Sequence, residues 1–422
     1  MKYLSNVLQV LKEKYLCDWC LGRCFANVLS GYTNKERGRI VRNFVALMLD
    51  SGEKLEIKPE NLYGIKFRNV EVESKKPSEC YVCKNFFDEM LEKVAKKVIE
   101  KIEKIEFSTF LIGSVPTPEM KSAEENVWSM IGVEFVEPLN SEINREVGKI
   151  IEKTLGKKFS LDKPDVTAII DLSTNSVRII IKSIFVYGAY KKLKRGIPQS
   201  KWYCSKCKGK GCVECKGVGK LYKTSVQEII EKPLLAATKS SKSKFSGCGR
   251  EDIDARCLDW RPFVLELKKP LKRSINLKEI EKLINKSSAV KVRGLKLVDR
   301  FVVKKIKTDR LDKTYLAEVV FEKNIDKQSL RKVGSLAGQT ITQKTPIRVL
   351  HRRADKVRKR LVKSISYRLL SPRKLRLKIR AESGLYIKEL ITGDEGRTKP
   401  NVQELLNNKV KKINLDVIKI HK

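Results

Sequence analysis

The chain has 422 residues, enough for two or three domains with sizeable cores. Its 90 Lys and Arg against 50 Asp and Glu leave a formal charge of +40, which would repel itself without an anionic partner. Nucleic acid is the first candidate, since cations that replace condensed counterions gain affinity by releasing them, and an anionic membrane is the rival. No apolar run reaches the ~18–20 residues that span a bilayer, and Met1–Val10 lacks the pattern of a signal peptide, so a soluble cytoplasmic protein is expected.

Residues 3–15 place Leu4, Val7, Leu8 and Leu11 at helical spacing and lead into Cys17-Asp18-Trp19-Cys20. A second knuckle, Cys80-Tyr81-Val82-Cys83, follows sixty residues later. Two CxxC pairs supply what a tetrahedral four-thiolate zinc site needs, because two intervening residues let both sulfurs face one ion. Buried unpaired thiols are the competing reading, and Cys24 is taken as one of these. Phe87, Leu91, Val94, Val98 and Ile102 step by three or four, which predicts an amphipathic helix from Lys84 to Ile105. A strand at 109–113 and helices near 118–131 and 141–155 follow. Val166–Asp171 and Val177–Val186, joined by Ser173-Thr174-Asn175, read as a hairpin. Lys191, Lys192, Lys194 and Arg195, interleaved with Tyr187, Tyr190 and Trp202, suit RNA contact, although a solvated face would carry the same charges.

Residues 204–219, CSKCKGKGCVECKGVG, bring Cys204, Cys207, Cys212 and Cys215 within twelve residues, with glycines for the tight turns of a second zinc knuckle. A redox CxxC lacks its βαβ context here. With only His351 and His421 in the chain, neither a Ser-His-Asp nor a Cys-His apparatus is expected, and metal binding falls to cysteine. Ser225-Val226-Gln227-Glu228 is a capping-box pattern that opens a short helix. In GCGREDIDARCLDWRPF, residues 247–263, Asp252 and Asp254 sit beside Arg250 and Arg256 just before an alternating strand. A carboxylate kept anionic by neighbouring cations suits a covalent catalyst near a phosphodiester. A charged surface turn with exposed ion pairs is the competing reading. A helix at 277–286, strands at 290–298 and 313–321, and a final strand at 412–420 complete the pattern. Residues 343–380 carry fifteen Lys and Arg against one acid, Asp355, a density that points to a phosphate backbone.

Several words resemble one family. GREDIDAR and RPFVLE look like the catalytic motif of the pseudouridine synthases, and more narrowly of the THUMP-bearing archaeal and eukaryotic branch that acts on tRNA uridines 54 and 55. LCDWCLGRCFA resembles its N-terminal zinc motif, FVYGAYKKLKRGIPQSKW the end of its THUMP domain, and QKTPIRVLHRRAD a further word of the family. The resemblance implies that Asp252 rather than Asp254 is the nucleophile. Tyr315, in KTYLA, is implied to stack on the target base and take the C5 proton, and Lys388, in GLYIKEL, to pair with Asp252. Leu405 or Leu406 would wall the base. Arg250, Tyr386, Arg397, Lys191, Lys194, Arg195, His351, Arg352 and Arg353 would contact substrate. Family members usually have a Gly-containing loop one residue longer where this chain reads Cys257-Leu258-Asp259-Trp260.

The implied fold is α/β (α+β). A zinc-knuckle and THUMP module occupies residues 1–200, a cysteine-rich hinge 201–220, and a catalytic domain with a mostly antiparallel mixed sheet 221–422. The implied reaction isomerises uridine to pseudouridine in tRNA, with structural zinc, no organic cofactor and no obligatory protein partner. A non-catalytic tRNA-binding or chaperone protein would use the same charge and cysteines without the aspartate. A THUMP-bearing methyltransferase or thiouridine synthase would need a nucleotide or adenosyl-methionine loop that the sequence lacks.

Overall fold

Apolar residues at helical spacing set the first part of the chain, and alternating residues set the second. The computed structural model describes residues 2–421, leaving the side chains of Lys2 and Arg352 outside that description. Two compact units divide at Lys182 and Ser183.

In the first unit, helices α1 (Lys2–Glu13), α2 (Asp18–Arg23), α3 (Asn34–Asp50) and α4 (Leu91–Ile102) precede strand β1 (Thr109–Val115). Helices α5 (Pro118–Ile131) and α6 (Leu139–Leu155) follow, then β2 (Lys158–Phe159), β3 (Val166–Asp171) and β4 (Ser176–Ile181). The strands lie in the order β2-β1-β3-β4, with β1 parallel to β2 and β3, and β3 antiparallel to β4. Phe87, Leu91, Val94, Val98 and Ile102 are all buried, as their spacing predicts, but residues 86–90 form a π-helical turn after left-handed Asn85, so α4 begins only at Leu91. Local caps fix the helix starts. Thr33 and Glu36 form a reciprocal capping box at α3, and Thr117 accepts from the Met120 amide ahead of Pro118 at α5.

The second unit begins with β5 (Ile184–Lys192), then α7 (Val226–Thr238), β6 (Lys242–Gly247), β7 (Arg256–Lys268), α8 (Leu277–Ile284), β8 (Val290–Val298) and α9 (Phe301–Thr308). It continues through β9 (Lys313–Phe321), α10 (Leu330–Gly334), β10 (Thr340–Gln343), β11 (Arg358–Ser371) and β12 (Lys374–Ala381). It ends with α11 (Ile387–Thr392), β13 (Thr398–Lys399), α12 (Val402–Leu406) and β14 (Val410–Ile420). Among the described residues these strands form one sheet, ordered β13-β10-β11-β12-β9-β14-β7-β5-β8, with β6 added against β7. Its pairs are antiparallel apart from β14 with β7. One face of β9 and β12 buries Ala317, Val319, Leu375, Leu377 and Ile379, and α7 and α8 cover Val186, Phe263 and Leu265 on β5 and β7.

Three expectations need correction. The run at 177–186 is two strands in different sheets, because β4 pairs with β3 whereas β5 pairs with both β7 and β8. The first module therefore ends near 182 rather than 200, and FVYGAYKKLKRGIPQSKW belongs to the second unit. Residues 257–260 are not a loop but the start of β7, where Cys257 pairs in register with Val417.

Helices α2 and α3 approach so closely that a Cβ on Gly22 would lie 1.7 Å from the Asn34 carbonyl oxygen, and one on Gly38 1.9 Å from that of Asp18. Backbone cannot yield to such contacts cheaply, so Gly22→Ala and Gly38→Ala should each lower stability by about 1–3 kcal/mol. Gly148→Ala in α6 meets nothing within 4 Å and should leave the thermal melt unchanged or slightly raised. Equal melting temperatures for all three variants would contradict this packing.

Candidate active site and cysteine clusters

Between β6 and β7 the chain runs through residues 248–255, the segment that carries Asp252. This segment lies along a cleft of about 530 Å³, which Arg250, Tyr315, Arg353, Tyr386 and Lys388 also line. Tyr315 reaches it from β9, and Lys388 from the first turn of α11.

The Asp252 carboxylate is bracketed by two cations from distant parts of the chain. Arg348 Nη1 donates to Oδ1 at 2.9 Å, and Lys388 Nζ lies 3.5 Å from Oδ2. Arg348 is itself fixed by Glu389, its Nε donating to Oε1 at 2.6 Å. Lys388 sits nearer to Asp254, donating at 2.7 and 2.8 Å. Although burial opposes it, Lys388 holds the Asp254 carboxyl below its usual range. Burial pushes the Tyr315 phenol up to about 12, so its ring is neutral near physiological pH.

Arg256 pairs with Asp416 at 2.7 Å, and the Arg250 guanidinium lies over the Trp202 ring, 5.2 Å from its centre. Arg348 was not singled out by the sequence, although it stands inside the QKTPIRVLHRRAD word, because nothing local marks a pairing with a residue 96 positions away. Lys192, read with its neighbours as suited to RNA contact, is instead buried and donates to the carbonyls of Asp252 and Ile253 at 3.0 and 2.9 Å, and the fully buried pair Arg261–Glu251 at 3.1 Å was unforeseen.

Other expected substrate contacts separate into two groups. Arg353 and Tyr386 line the cleft, with Arg353 donating to the Tyr386 hydroxyl at 2.7 Å. Lys194 and His351 are exposed, and Lys191 lies over the Trp260 ring. The Arg352 side chain lies outside the described residues. By contrast, Arg195 is engaged internally with Asp416 and the carbonyls of Asp254 and Leu415, and Arg397 with Asp355 and the Thr345 carbonyl. Leu405 and Leu406 do not line the cleft. On α12 they face the core beneath the sheet, and the apolar cleft wall comes from Val349, Leu385, Ile387, Leu415 and Val417 instead.

Eight cysteines meet in two groups of four, Cys17 with Cys20, Cys80 and Cys83, and Cys204 with Cys207, Cys212 and Cys215. Within each group the sulfurs lie within 4.8 Å of one another, and all eight are free of disulfides. Ligands about 2.3 Å from a tetrahedral ion stand roughly 3.8 Å apart. The Cys17–Cys83 separation is 3.5 Å, and Cys204–Cys212 and Cys207–Cys215 are 3.8 Å. Backbone amides point at the sulfurs, Cys17 N at Cys80, and Gly211 N and Gly219 N at Cys207 and Cys215. Gly211 and Gly219 are left-handed and crowded by backbone, so glycine is required there. Both groups can hold a metal ion. Cys24 is buried outside the first group, as a core thiol should be.

Comparison with known proteins agrees with this anatomy. A family model described as "Pus10, C-terminal" matches residues 185–421, and one described as "Pus10 THUMP domain, archaeal" matches residues 94–171. The gap between them coincides with the division at 182. Curated proteins named tRNA pseudouridine synthase Pus10 are similar throughout. That of Methanothrix thermoacetophila is 38% identical over 99% of this chain and 94% of its own. That of Methanopyrus kandleri is 38% identical over 98% of each, and that of Methanocaldococcus jannaschii 40% identical over 98% of this chain and 93% of its own. A solved Cbf5-Nop10-Gar1 complex is similar at 14% identity and a TM-score of 0.30, covering 55% of this chain and 48% of that one. Matched in both of its units by family models and along nearly its full length by these relatives, the chain belongs to the Pus10 family.

Proposed function

We propose that this protein isomerises uridine to pseudouridine in tRNA, at position 54, position 55 or both in the T-arm, with Asp252 acting on the sugar of the target nucleotide. One observation carries the reading: an aspartate held on both oxygens by cations, in a cleft that also presents an aromatic ring. The family names of the relatives and the charge of +40 support it.

Chemistry on a paired base requires that the base leave the stack, and the cleft offers a ring and a polar lining to receive it. Asp252 attacks C1′ or removes a ribose proton, and the C1′–N1 electron pair departs with the base. The freed uracil rotates and C5 bonds to C1′ as the Asp252–C1′ bond breaks or the ribose proton is returned, and the C5 proton is lost while N1 gains one. Arg348 and Lys388 hold the carboxylate in one orientation throughout. A neutral Tyr315 suits stacking on the base better than accepting its proton. The rearrangement is redox-neutral and uses no organic cofactor. Arg250, Arg353 and Tyr386 contact the flanking nucleotides, and the first unit binds tRNA through its THUMP region. The two cysteine groups hold zinc, whose part is structural, since four thiolates fill its coordination and leave no position for a reactive water.

Mapping pseudouridine in uridine-labelled tRNA transcripts tests the chemistry. Wild-type protein should convert uridine 54, 55 or both, and Asp252→Ala should be slower by at least about 10³-fold with tRNA affinity retained. Conversion by Asp252→Ala would remove the nucleophile, and a wild type that binds without converting would leave a tRNA-binding protein. Metal analysis tests the clusters. The purified protein should carry two zinc ions per chain, Cys80→Ala one, and Cys212→Ala one. Chelation should lower the melting temperature, because zinc affinity in such sites is folding free energy. Wild-type metal content in either variant would contradict the assignment.

A further inference from the structure

Alternation along β9 puts Lys313 on the same face as Tyr315, and both line the cleft together with Arg261 from β7. Lys313 is 6% exposed and Arg261 wholly buried. The two cationic ends converge on one residue: a Cβ on Gly249 would lie 3.1 Å from Arg261 Nη1 and 3.6 Å from Lys313 Nζ. Resting on the pseudouridine synthase reading, we propose that Lys313, with Arg261 beside it, forms a cationic floor that stabilises the negative charge on the uracil ring after it detaches from C1′.

Glu251 faces Arg261 and is shared with the Tyr190 hydroxyl, and it is the buried carboxylate at this end of the cleft. Asp312, next to Lys313 in the chain, is engaged with Lys363 and Arg380, and Asp252 with Arg348 and Lys388. The thiols that face Lys313, Cys248 and Cys257, are pushed up by burial and stay neutral, as does Tyr315. Two cations therefore share little compensation in a place from which water is largely excluded. Burial first, and then Arg261, bring the Lys313 ammonium down to about 8.

Unused donors point the same way. Arg261 Nη1 donates to the Cys248 carbonyl at 2.9 Å, while among the described residues Nη2 has no hydrogen-bond partner. Lys313 Nζ donates to the Leu311 carbonyl at 2.8 Å and lies 3.5 Å from the Ser383 hydroxyl, which leaves capacity on an ammonium that carries three donors. Heterolysis of C1′–N1 leaves its electron pair on the ring, spread over N1, O2 and O4. The pair is consumed when C5 bonds to C1′ and the proton count shifts from C5 to N1. Fixed cations aimed at transient charge need no reorganisation at the moment it forms, which is where such groups act most strongly.

Single-turnover rates of wild type, Lys313→Arg and Lys313→Met, followed from pH 6 to pH 9.5 beside tRNA affinity, test the proposal. Lys313→Met should slow the chemical step by roughly 10²-fold with affinity unchanged, and Lys313→Arg should recover most of it. The wild-type rate should fall as pH rises through about 8, where the ammonium is lost. That fall should move to higher pH in Lys313→Arg, whose guanidinium stays charged. A merely structural lysine would change the melting temperature without moving the pH limb. A wild-type rate in Lys313→Met, or coincident pH limbs in wild type and Lys313→Arg, would overturn it. Should Lys313→Met not fold, the pH comparison decides alone. An inactive wild type would instead defeat the functional reading on which this rests.

Discussion

A buried ammonium holding two carbonyl oxygens is the contact on which the catalytic unit depends. Lys192, the last residue of β5, donates to the carbonyls of Asp252 and Ile253. The residues just after it continue the grip. The Gly196 amide donates to the Ile253 carbonyl, Arg195 to that of Asp254, and the Gln199 side chain to that of Gly249. Tyr190 and Arg261 both meet Glu251 within the same segment. A connecting segment would ordinarily satisfy such carbonyls with water and move with it. Here they are bound by Lys192 at the end of β5 and by the residues that directly follow it, so the carboxylate at 252 is placed before any substrate arrives.

Such internal use of cations changes how the excess of lysine and arginine is understood. Most of the +40 is solvated and attracts a polyanion without regard to its sequence. A smaller set is paired within the fold and fixes geometry, with buried Lys192 on the loop, buried Arg261 on Glu251, and the partly exposed Arg348 on Asp252 and Glu389 and Arg195 and Arg256 on Asp416. Burial of Lys192 and Arg261 is costly and is tolerated only because each has a defined partner. Arg195 and Arg397, which look like surface charges for RNA, belong to this internal set.

What the sequence discloses follows from the range of each signal. Alternation gives β8 and β9 to the residue, and helical spacing gives the buried side of α4, because both reflect one face meeting one core. The CxxC pairs disclose both cysteine groups, since spacing itself sets the ligand geometry. Alternation cannot say which sheet a strand joins, and for that reason the run ending at 186 conceals the break between β4 and β5. Partners separated by a hundred residues leave no local mark. The motif marks Asp252 as a candidate, whereas nothing marks its partner Arg348, and neighbouring Arg256 pairs with Asp416 instead. Leu405 and Leu406 show the converse error, in which a motif is matched while its side chains pack elsewhere. Lys313 was within reach, because two positions along a strand from Tyr315 means the same face.

The most direct test lies at Lys192, which touches the loop and not the cleft. Lys192→Met keeps the bulk of the side chain and removes both hydrogen bonds to the loop. Its single-turnover rate of pseudouridine formation should fall by one to two orders of magnitude, or roughly 10–10²-fold, while tRNA affinity and cooperative melting are kept. A variant that folds, binds and reacts at the wild-type rate would show that Asp252 is positioned without this contact, and would contradict the dependence of the site on it.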